Sequence, residues 1–398
     1  MTTSEDQPAG RASPVPGITW NVFLLGLVSL CTDASSEMIY PLIPLFLTRT
    51  LGAPVAVVGV IEGLAEATAS ILKGFSGWLS DRLGRRRPLV IGGYGLAAVA
   101  KPLLALAAGW PLVLAARVLD RFGKGLRGSP RDALIADSTP EESRGRAFGF
   151  HRSADQVGAV AGPLAALALL AAFRQDYRAV FLVAFLPAAV GVALLALVRD
   201  PKRAGARGAR PPKFSLRGAT PAYRRFLGIG LLFALGNSSD VFLILRAGQL
   251  GLATSKIVLL FAAFNLSYVL SAYPAGRLSD RLGRKRVLVA GLWVFALVYL
   301  GFALAPGPGW LVPCFVVYGL YMGLTDGVSR AFVVDLVTPE TRATALGVYA
   351  MAVGLMSLAA SLLAGWLWQW LGPPAPFWLG AALAASAAVL LAAMTQTE

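Results

Sequence analysis

Residues 120–132, DRFGKGLRGSPRD, concentrate charge between two apolar segments of the chain. The charged residues of this stretch are Asp120, Arg121, Lys124, Arg127, Arg131 and Asp132. At about 100° per residue, one side of a helix carries Arg117, Arg121, Lys124, Arg127 and Arg131, which we call the basic stripe. Guanidinium and ammonium groups in such a row bind carboxylates and other anions. The stripe therefore predicts a site for an anionic group, or a set of buried salt bridges.

The surroundings of the stripe indicate that its helix crosses a membrane. The chain is 56% hydrophobic and 14% charged, whereas soluble proteins carry about 25% charged residues. Runs such as AVFLVAFLPAAVGVALLALV are long enough to span a bilayer. A cation at the bilayer centre costs about 2.5–3.5 kcal/mol, so the stripe must face water or acidic side chains rather than lipid.

Several other functions are disfavoured by composition and spacing. The net charge of +15 comes from short loops between apolar runs rather than from one basic face, which argues against nucleic-acid binding. The GKG sequence within the stripe lacks the spacing of a phosphate-binding loop. Cys31 and Cys314 both lie in apolar runs and suggest neither a disulfide nor a metal site. Because no nucleophile–base pair or metal cluster is recognisable, we expect neither an enzyme nor a bound cofactor.

Apolar runs and charged loops predict twelve transmembrane spans. Their approximate limits are 18–47, 54–78, 88–108, 111–137, 147–172, 178–198, 223–248, 254–277, 287–305, 310–336, 342–371 and 374–394. Arginine and lysine lie mostly in alternate loops, which predicts that these loops and both termini are cytoplasmic. Residues 1–17 are expected to form a disordered cytoplasmic tail, and residues 199–222 a solvated linker between two six-helix halves, 18–198 and 223–398.

Acidic residues also occur within the predicted spans. Asp33 and Glu37 share a face of span one, and Glu62 and Glu66 repeat this spacing on span two. Burial favours the protonated form of a carboxyl group, and a nearby cation opposes it. We therefore predict that a proton carrier lies among Glu37, Asp33, Asp155 and Glu66; the alternative is that these acids form static salt bridges that hold the helices together. His151 is interpreted as a structural residue.

Two halves of the chain resemble each other. GWLSDRLGRRRPLV at 77–90 matches GRLSDRLGRKRVLV at 276–289, and IADSTPEESRGRAFG at 135–149 resembles VVDLVTPETRATALG at 333–347. ASSEM in span one is echoed by NSSDV in span seven, where the serines could permit close packing or line a pathway. Similar membrane halves indicate a transporter built around a pseudo-two-fold axis.

The motifs within these halves resemble those of the major facilitator superfamily. The loop motif G-x-x-x-D-R-x-G-R-R is present as Gly77, Asp81, Arg82, Gly84, Arg85 and Arg86, and again as Gly276, Asp280, Arg281, Gly283, Arg284 and Lys285. Arg117 occupies a place near the start of span four where the family often has a basic residue. GAVAGPLAAL in span five is similar to an element of proton-coupled exporters, through Gly158, Gly162 and Pro163. Ala166 and Leu167 replace the final glycines of that element.

The resemblance implies an all-α membrane protein of the major facilitator fold, with twelve transmembrane helices in two pseudo-symmetric six-helix bundles. It also implies that spans four and ten line a central cavity. The expected substrate-binding residues are Arg121, Lys124, Arg127, Arg131, Asp240, Tyr318, Tyr321 and Asp326. The expected gating residues are Gly77, Asp81, Arg82, Gly84, Arg85, Asp280, Arg281, Gly158, Gly162 and Pro163. The span-five glycines have close helix packing as their alternative role.

Together these observations predict a proton-coupled secondary transporter of the inner membrane. The exporter-like element of span five favours antiport and efflux of small organic molecules by alternating access. The basic stripe favours an alternative, the transport of a specific organic anion or anionic chelate. A membrane receptor or scaffold that transports nothing is a remote alternative. We expect a monomer whose partners are a small-molecule substrate, protons and the lipid bilayer.

Overall fold

The computed structural model describes residues 13–83, 85–140, 143–200, 219–338 and 341–394. The regular structure within these ranges is helical throughout. We number the main helices along the chain: α1 Trp20–Ile39, α2 Val55–Leu83, α3 Arg87–Ala105, α4 Trp110–Asp137, α5 Arg144–Ala172, α6 Tyr177–Leu194, α7 Pro221–Gln249, α8 Thr254–Leu282, α9 Arg284–Leu304, α10 Leu311–Asp335, α11 Arg342–Leu371 and α12 Ala375–Ala393. The expected all-α class is confirmed.

Most of these helices are suited to a bilayer. Eleven spans among the described residues are long and apolar enough to cross a membrane. The exception is α4, which has 28 residues but carries the basic stripe. The chain is therefore a multi-pass membrane protein, and its fourth helix carries a polar face that must turn away from lipid.

Two helices differ from the uniform spans predicted by the sequence. Helix α1 is continued by a short helix, Ile43–Leu45, and a π-helical turn, Phe46–Thr50. Helix α7 consists of two segments, Pro221–Gly236 and Val241–Gln249, separated by the non-helical residues 237–240. The predicted span seven, 223–248, agrees with the candidate span Pro221–Gln249, but this span is not one continuous helix. Two side chains of this break are held by tyrosines of α10: Asn237 Nδ2 donates to Tyr321 Oη at 3.2 Å, and Asp240 Oδ1 accepts from Tyr318 Oη at 2.6 Å.

The predicted tail and linker fall largely outside the part of the chain that the structure describes. Of the tail, residues 1–12 lie outside it, as do residues 201–218 of the linker. The linker prediction ran to residue 222, but α7 already begins at Pro221, where the Thr220 side chain accepts a hydrogen bond from the Tyr223 backbone N–H. A proline in the first turn after a threonine cap is a common start of a helix.

Helix packing follows the same plan in the two halves. Helix α4 packs against α2 and α3, and α1 packs against α5 and α6. The corresponding helices of the second half do the same: α10 packs against α8 and α9, and α7 against α11 and α12. Contacts between the halves are made mainly by α2 with α11 and by α5 with α8.

Glycines allow α5 to approach α1 closely. A Cβ atom at Gly158 would lie 2.6 Å from the Leu30 carbonyl oxygen, and one at Gly162 would lie 2.8 Å from Glu37 Cβ. Both distances are too short for a real side chain, so only glycine fits these positions. The contact also fixes the Glu37 segment of α1 against α5.

The bundle has two ends, which we name by the chain termini. At the terminal face, Asn21 Nδ2 donates to Ser138 Oγ at 3.1 Å and to the Arg199 carbonyl at 2.9 Å, joining the ends of α1, α4 and α6. At the opposite face, Arg178 donates to the carbonyls of Ala105 and Ala107 at 2.6 and 2.7 Å. Alternate helices therefore run in opposite directions between the two faces.

The hydrophobic core is continuous between the halves only towards the opposite face. The largest cluster contains residues of both halves, such as Phe46 with Phe242 and Leu47 with Leu243. Towards the terminal face, two smaller clusters each contain residues of one half alone. The halves thus share a hydrophobic core at one end, whereas the described clusters at the other end belong to one half each.

Candidate functional site

The candidate site is a central cavity of about 1080 Å³ between the two halves. Its lining comes from α1, α2, α4 and α5 on one side and from α7, α8 and α10 on the other. The charged lining residues are Asp33, Glu37, Glu66, Lys73, Arg121, Lys124, Arg127, Arg131, Asp132, Arg152, Asp155, Asp240, Asp280, Asp326 and Arg330. They extend to the terminal ends of α4, α8 and α10, so the cavity reaches the terminal face.

The basic stripe of α4 faces the interior of the bundle. Arg117, Arg121 and Arg127 are buried, whereas Phe122 on the other side of the helix is 39% exposed. This orientation turns the cations away from the surface that would contact lipid. The stripe is divided into two parts, according to what each cation touches.

The first part of the stripe is neutralised inside the helix bundle. Arg117 forms a two-pronged salt bridge with Glu62 of α2, with N···O distances of 2.9 and 2.7 Å. Lys101 of α3 donates to Asp120 Oδ1 at 3.0 Å, and Arg121 Nη1 lies 3.3 Å from Glu66 Oε1. These pairs join α2, α3 and α4 in the way that the salt-bridge interpretation of the sequence expects.

Lys101 was missed by the sequence analysis. Its side chain is 0% exposed and also donates to the Ala97 carbonyl at 2.8 Å. The one available signal was a lysine within the apolar run of span three. Because a buried ammonium group requires an acidic partner, that signal could have predicted a salt bridge but not the identity of Asp120.

The second part of the stripe faces the cavity. Lys124 is exposed to it and, among the described residues, has neither a hydrogen bond nor an ion pair. The Arg127 guanidinium stacks on the Tyr94 ring, with 4.1 Å from Cζ to the ring centroid. Arg131 binds Asp132 through Nε at 3.0 Å and Nη2 at 2.9 Å. Lys124 is therefore the stripe cation that is most available to a ligand.

The four predicted proton carriers all line the cavity but have different surroundings. Within the described part of the chain, Asp33 and Glu37 of α1 have no hydrogen bond and no ion pair. Glu66 is paired with Arg121. Asp155 lies 3.6 Å from His151 Nδ1 and 3.8 Å from Arg152 Nη1. Asp33 and Glu37 can thus change protonation without breaking an ion pair.

The second half contributes acids held by tyrosines. Asp240 lines the cavity at the break in α7, and its Oδ1 accepts a hydrogen bond from Tyr318 Oη at 2.6 Å. Tyr318 is fully buried, and Tyr321 is 2% exposed. These two predicted substrate-binding tyrosines lie outside the cavity lining. Tyr318 contacts the cavity only indirectly, by holding the Asp240 carboxylate through this hydrogen bond.

A polar cluster connects the halves near the terminal face. Asp326 of α10 accepts from Tyr268 Oη at 2.9 Å and pairs with Arg330 at 2.8 Å. Arg152 of α5 reaches the same group, with Nη2 3.2 Å from Tyr268 Oη and 3.7 Å from Asp326 Oδ2. The sequence analysis missed Arg152 and Tyr268, because no pattern within one helix reports a contact between halves.

The predicted gating residues are only partly described. Gly84 and the side chain of Asp81 lie outside the described residues. Arg82, Arg85 and Arg281 are exposed, and Asp280 lines the terminal end of the cavity. Gly77 packs near Ser129 of α4. In α5, Gly158 and Gly162 make the close contact with α1, and Pro163 lies inside the helix.

The repeated loop motif is tied to the fourth helix of its own half. Arg86 pairs with Asp137 at 3.1 Å, and Arg284 pairs with Asp335 at 2.6 Å. Each acid is the last residue of its helix, α4 or α10. The motif therefore fastens the loop to the helix that carries cavity-lining charges.

At the opposite face, Arg49 closes the path between the halves. Its Nη1 lies 3.2 Å from Thr254 Oγ1, and its Nη2 lies 3.4 Å from the carbonyls of Gly248 and Leu252. Tyr177 Oη also contacts Thr254 Oγ1 at 2.8 Å. A cation at the C-terminal end of α7 is favoured by the helix dipole.

Comparison with known proteins agrees with the fold. The model of the Major Facilitator Superfamily matches residues 25–245 and 226–398. An uncharacterized MFS-type transporter of Methanocaldococcus jannaschii, MJ1317, is 34% identical over 93% of this chain and 94% of its own length. The multidrug resistance protein MdtH of Cronobacter sakazakii is 34% identical, but over only 36% of this chain and 35% of its own.

A solved structure has a similar fold. The human organic anion transporter MFSD10 superposes with a TM-score of 0.68 at 17% identity, covering 93% of this chain and 98% of that one. At this identity the likeness concerns the fold alone. The family match over both halves and the full-length archaeal relative show that this chain belongs to the Major Facilitator Superfamily of transporters.

Proposed function

We propose that this protein is a proton-coupled secondary transporter that exports small organic molecules across the inner membrane by alternating access. In this proposal twelve transmembrane helices form two six-helix bundles, residues 18–198 and 221–398. The linker 199–220 and both termini are cytoplasmic, and the monomer is the functional unit. The repeated packing of α1–α6 and α7–α12 supports the two-bundle arrangement.

The observation that carries the proposal is the cavity of about 1080 Å³ with one closed end. The halves share a core near the opposite face, where Arg49 also joins them, whereas the lining of the cavity continues to the terminal face. A cavity that is open at one end and closed by separable contacts at the other is what alternating access requires. A rocking motion of the halves would open the closed end of the cavity and close the open one.

Proton coupling rests on Asp33 and Glu37. Both acids face the cavity without an ion pair among the described residues, and both lie within electrostatic reach of Lys124. A proton that binds Glu37 changes the charge balance around Lys124, so proton and substrate affect each other's binding. Asp155 and Glu66 are the next candidates, since each already has a cation or histidine nearby.

The energy available from one proton is sufficient for useful accumulation. A potential of 100 mV supplies about 2.3 kcal/mol per charge, which supports about a fiftyfold gradient of a neutral substrate. The exporter direction rests on the resemblance of Gly158, Gly162 and Pro163 to an exporter element and on the partial similarity to MdtH. Gating is assigned to these residues and to the two loop motifs.

A second candidate function is the transport of an organic anion or an anionic chelate. Lys124 supports it, because this cation lines the cavity and has no partner among the described residues. Arg127, which is stacked on Tyr94, lies one helical turn further along α4. A carboxylate could bind both cations from the cavity.

Reconstituted vesicles that contain a pH-sensitive dye test the proposal. Organic cations, neutral drugs and carboxylates are added in turn, with protein-free vesicles as the control. We expect added cations or neutral drugs to move protons, and Glu37→Gln to abolish proton movement while substrate exchange at equal pH continues. Proton movement with carboxylates alone would favour the anion transporter. Absence of transport for every class, at any pH gradient, would contradict the proposal and favour a receptor or scaffold.

A further inference from the structure

The break in α7 holds an acid, Asp240, that has no ion pair among the residues that the structure describes. We infer that Asp240 binds the protonated amino group of the transported molecule, whose apolar body lies along the aromatic side chains of Tyr40, Phe261 and Phe264. This inference deepens the proposed transport function, on which it rests, by naming the class of substrate: organic amines with an aromatic or similarly apolar body.

The backbone presents Asp240 to the cavity. Residues 237–240 are non-helical, and the second segment of α7 begins at Val241. Non-helical backbone at this depth of a membrane protein occurs where it is buried in protein or lines a wet cavity. The positive end of the following segment and the Tyr318 hydroxyl, 2.6 Å from Oδ1, both favour the ionised carboxylate. Neither of them carries a full positive charge.

The ionic groups near Asp240 have the wrong sign to neutralise it. They are Glu62 and Glu66, both acids, and each is already paired with an arginine of α4. Glu37 is a further acid within electrostatic reach. No described lysine or arginine lies within ion-pair distance of Asp240. A desolvated carboxylate of this kind is stabilised by a cationic ligand or by a proton.

The wall beside Asp240 favours an organic cation over an inorganic one. Tyr40, Phe261 and Phe264 line the cavity, with ring centroids 5.5 Å apart for Tyr40–Phe261 and 5.4 Å for Phe261–Phe264. Phe264 in turn lies 5.3 Å from the Tyr318 ring, which supports Asp240. Aromatic faces attract cations and also remove apolar surface from water. An inorganic ion would use the carboxylate but not this surface.

Binding of three probes that share one body tests the assignment. The probes are 2-phenylethylamine, 2-phenylethanol and 3-phenylpropionate, and Kd is measured with the purified full-length protein in lipid nanodiscs. A hydrogen bond between charged groups contributes about 1.5–3 kcal/mol, so we expect the amine to bind at least about tenfold more tightly than the alcohol. Asp240→Asn should remove this preference while alcohol binding stays unchanged, which also shows that the cavity remains folded.

Asp176→Asn is the matched control, because it removes the same charge at the cap of α6, where asparagine caps almost as well. It should retain the preference for the amine. Equal binding of amine and alcohol by the unmodified protein, or an amine preference that survives Asp240→Asn, would overturn the inference. Amine binding that depends on Asp240 in a protein that moves no proton or substrate would support the site and contradict the proposed function. Proton-coupled transport of 2-phenylethanol, together with equal binding of amine and alcohol, would support the proposed function and contradict the site.

Discussion

Replacing two lysines by methionine should separate the structural part of the basic stripe from its functional part. Lys101 is fully buried in a salt bridge with Asp120, whereas Lys124 faces the cavity without a described partner. Methionine has a similar length and carries no charge, so both changes remove one ammonium group. The structure predicts opposite effects on stability and on transport.

The expected loss of stability for Lys101→Met follows from the group that it leaves behind. Removing one partner of a buried salt bridge typically costs about 3–5 kcal/mol, because the other charge remains buried. Asp120 retains Arg121 at 3.6 Å and Arg117 at 3.8 Å, so the lower end, about 3 kcal/mol, is expected. Lys124→Met leaves no described acid without its ion pair and should change the free energy of unfolding by less than about 0.5 kcal/mol.

Unfolding in mixed micelles, followed by far-UV circular dichroism, measures the free energies, and substrate-driven proton movement in vesicles measures function. Lys124→Met should unfold like the unmodified protein. For the second candidate function, transport of an organic anion, it should also weaken the apparent substrate affinity at least about tenfold. The double variant Lys101→Met/Asp120→Leu should recover most of the lost stability, because the Asp120 charge no longer remains without Lys101, while Arg117 and Arg121 keep their pairs with Glu62 and Glu66. Equal stability of the two single variants, or no recovery in the double variant, would refute this division of the stripe.

Three further predictions concern coupling, closure and packing. Glu37→Gln should abolish transport driven by a pH gradient but retain exchange at equal pH, measured with labelled substrate in vesicles; loss of both activities would contradict a coupling role. Arg49→Ala removes hydrogen bonds to Thr254 and two carbonyls, so it should increase maleimide labelling of a Ser239→Cys variant by about tenfold; unchanged labelling would show that Arg49 does not close this face. Gly162→Val should cost about 1–3 kcal/mol, because its Cβ would lie 2.8 Å from Glu37 Cβ; a normal melting temperature would contradict the close contact.

Features that depend on one helix were predictable from the sequence. The 3.6-residue period placed the five stripe cations on one side of α4, and the buried arginines and the exposed Phe122 have that arrangement. The match between the two loop motifs predicted similar halves, and each motif is tied to the fourth helix of its half through Asp137 or Asp335. Helix periodicity and internal repeats are properties of local sequence, which explains the agreement.

Features that depend on the arrangement of several helices were not predictable. The partner of Lys101 is set by the packing of α3 on α4, and the contact of Arg152 with Asp326 requires the two halves to meet. The unwinding at residues 237–240 was not predictable, because a similar sequence, ASSEM, remains helical in α1. In α1, Ser35 donates to the Ala184 carbonyl at 2.6 Å and packs within the first half. The same kind of residue can therefore support a helix or a break, depending on its neighbours.

The charged residues in and around the cavity are of two kinds, those held in salt bridges and those available for a proton or a ligand. Fixed pairs, such as Arg117 with Glu62, satisfy cations that would otherwise be too costly in a bilayer, and they also join the helices. Asp33 and Glu37 have no ion pair among the described residues but lie within electrostatic reach of Lys124, so the cavity holds opposite charges that are near each other without being bound together. Such groups can accept a proton or a substrate charge without first breaking a salt bridge. The salt bridges of the neighbouring residues keep the desolvation cost of the whole cluster low, so a few ionisable groups can remain available for a proton or a ligand.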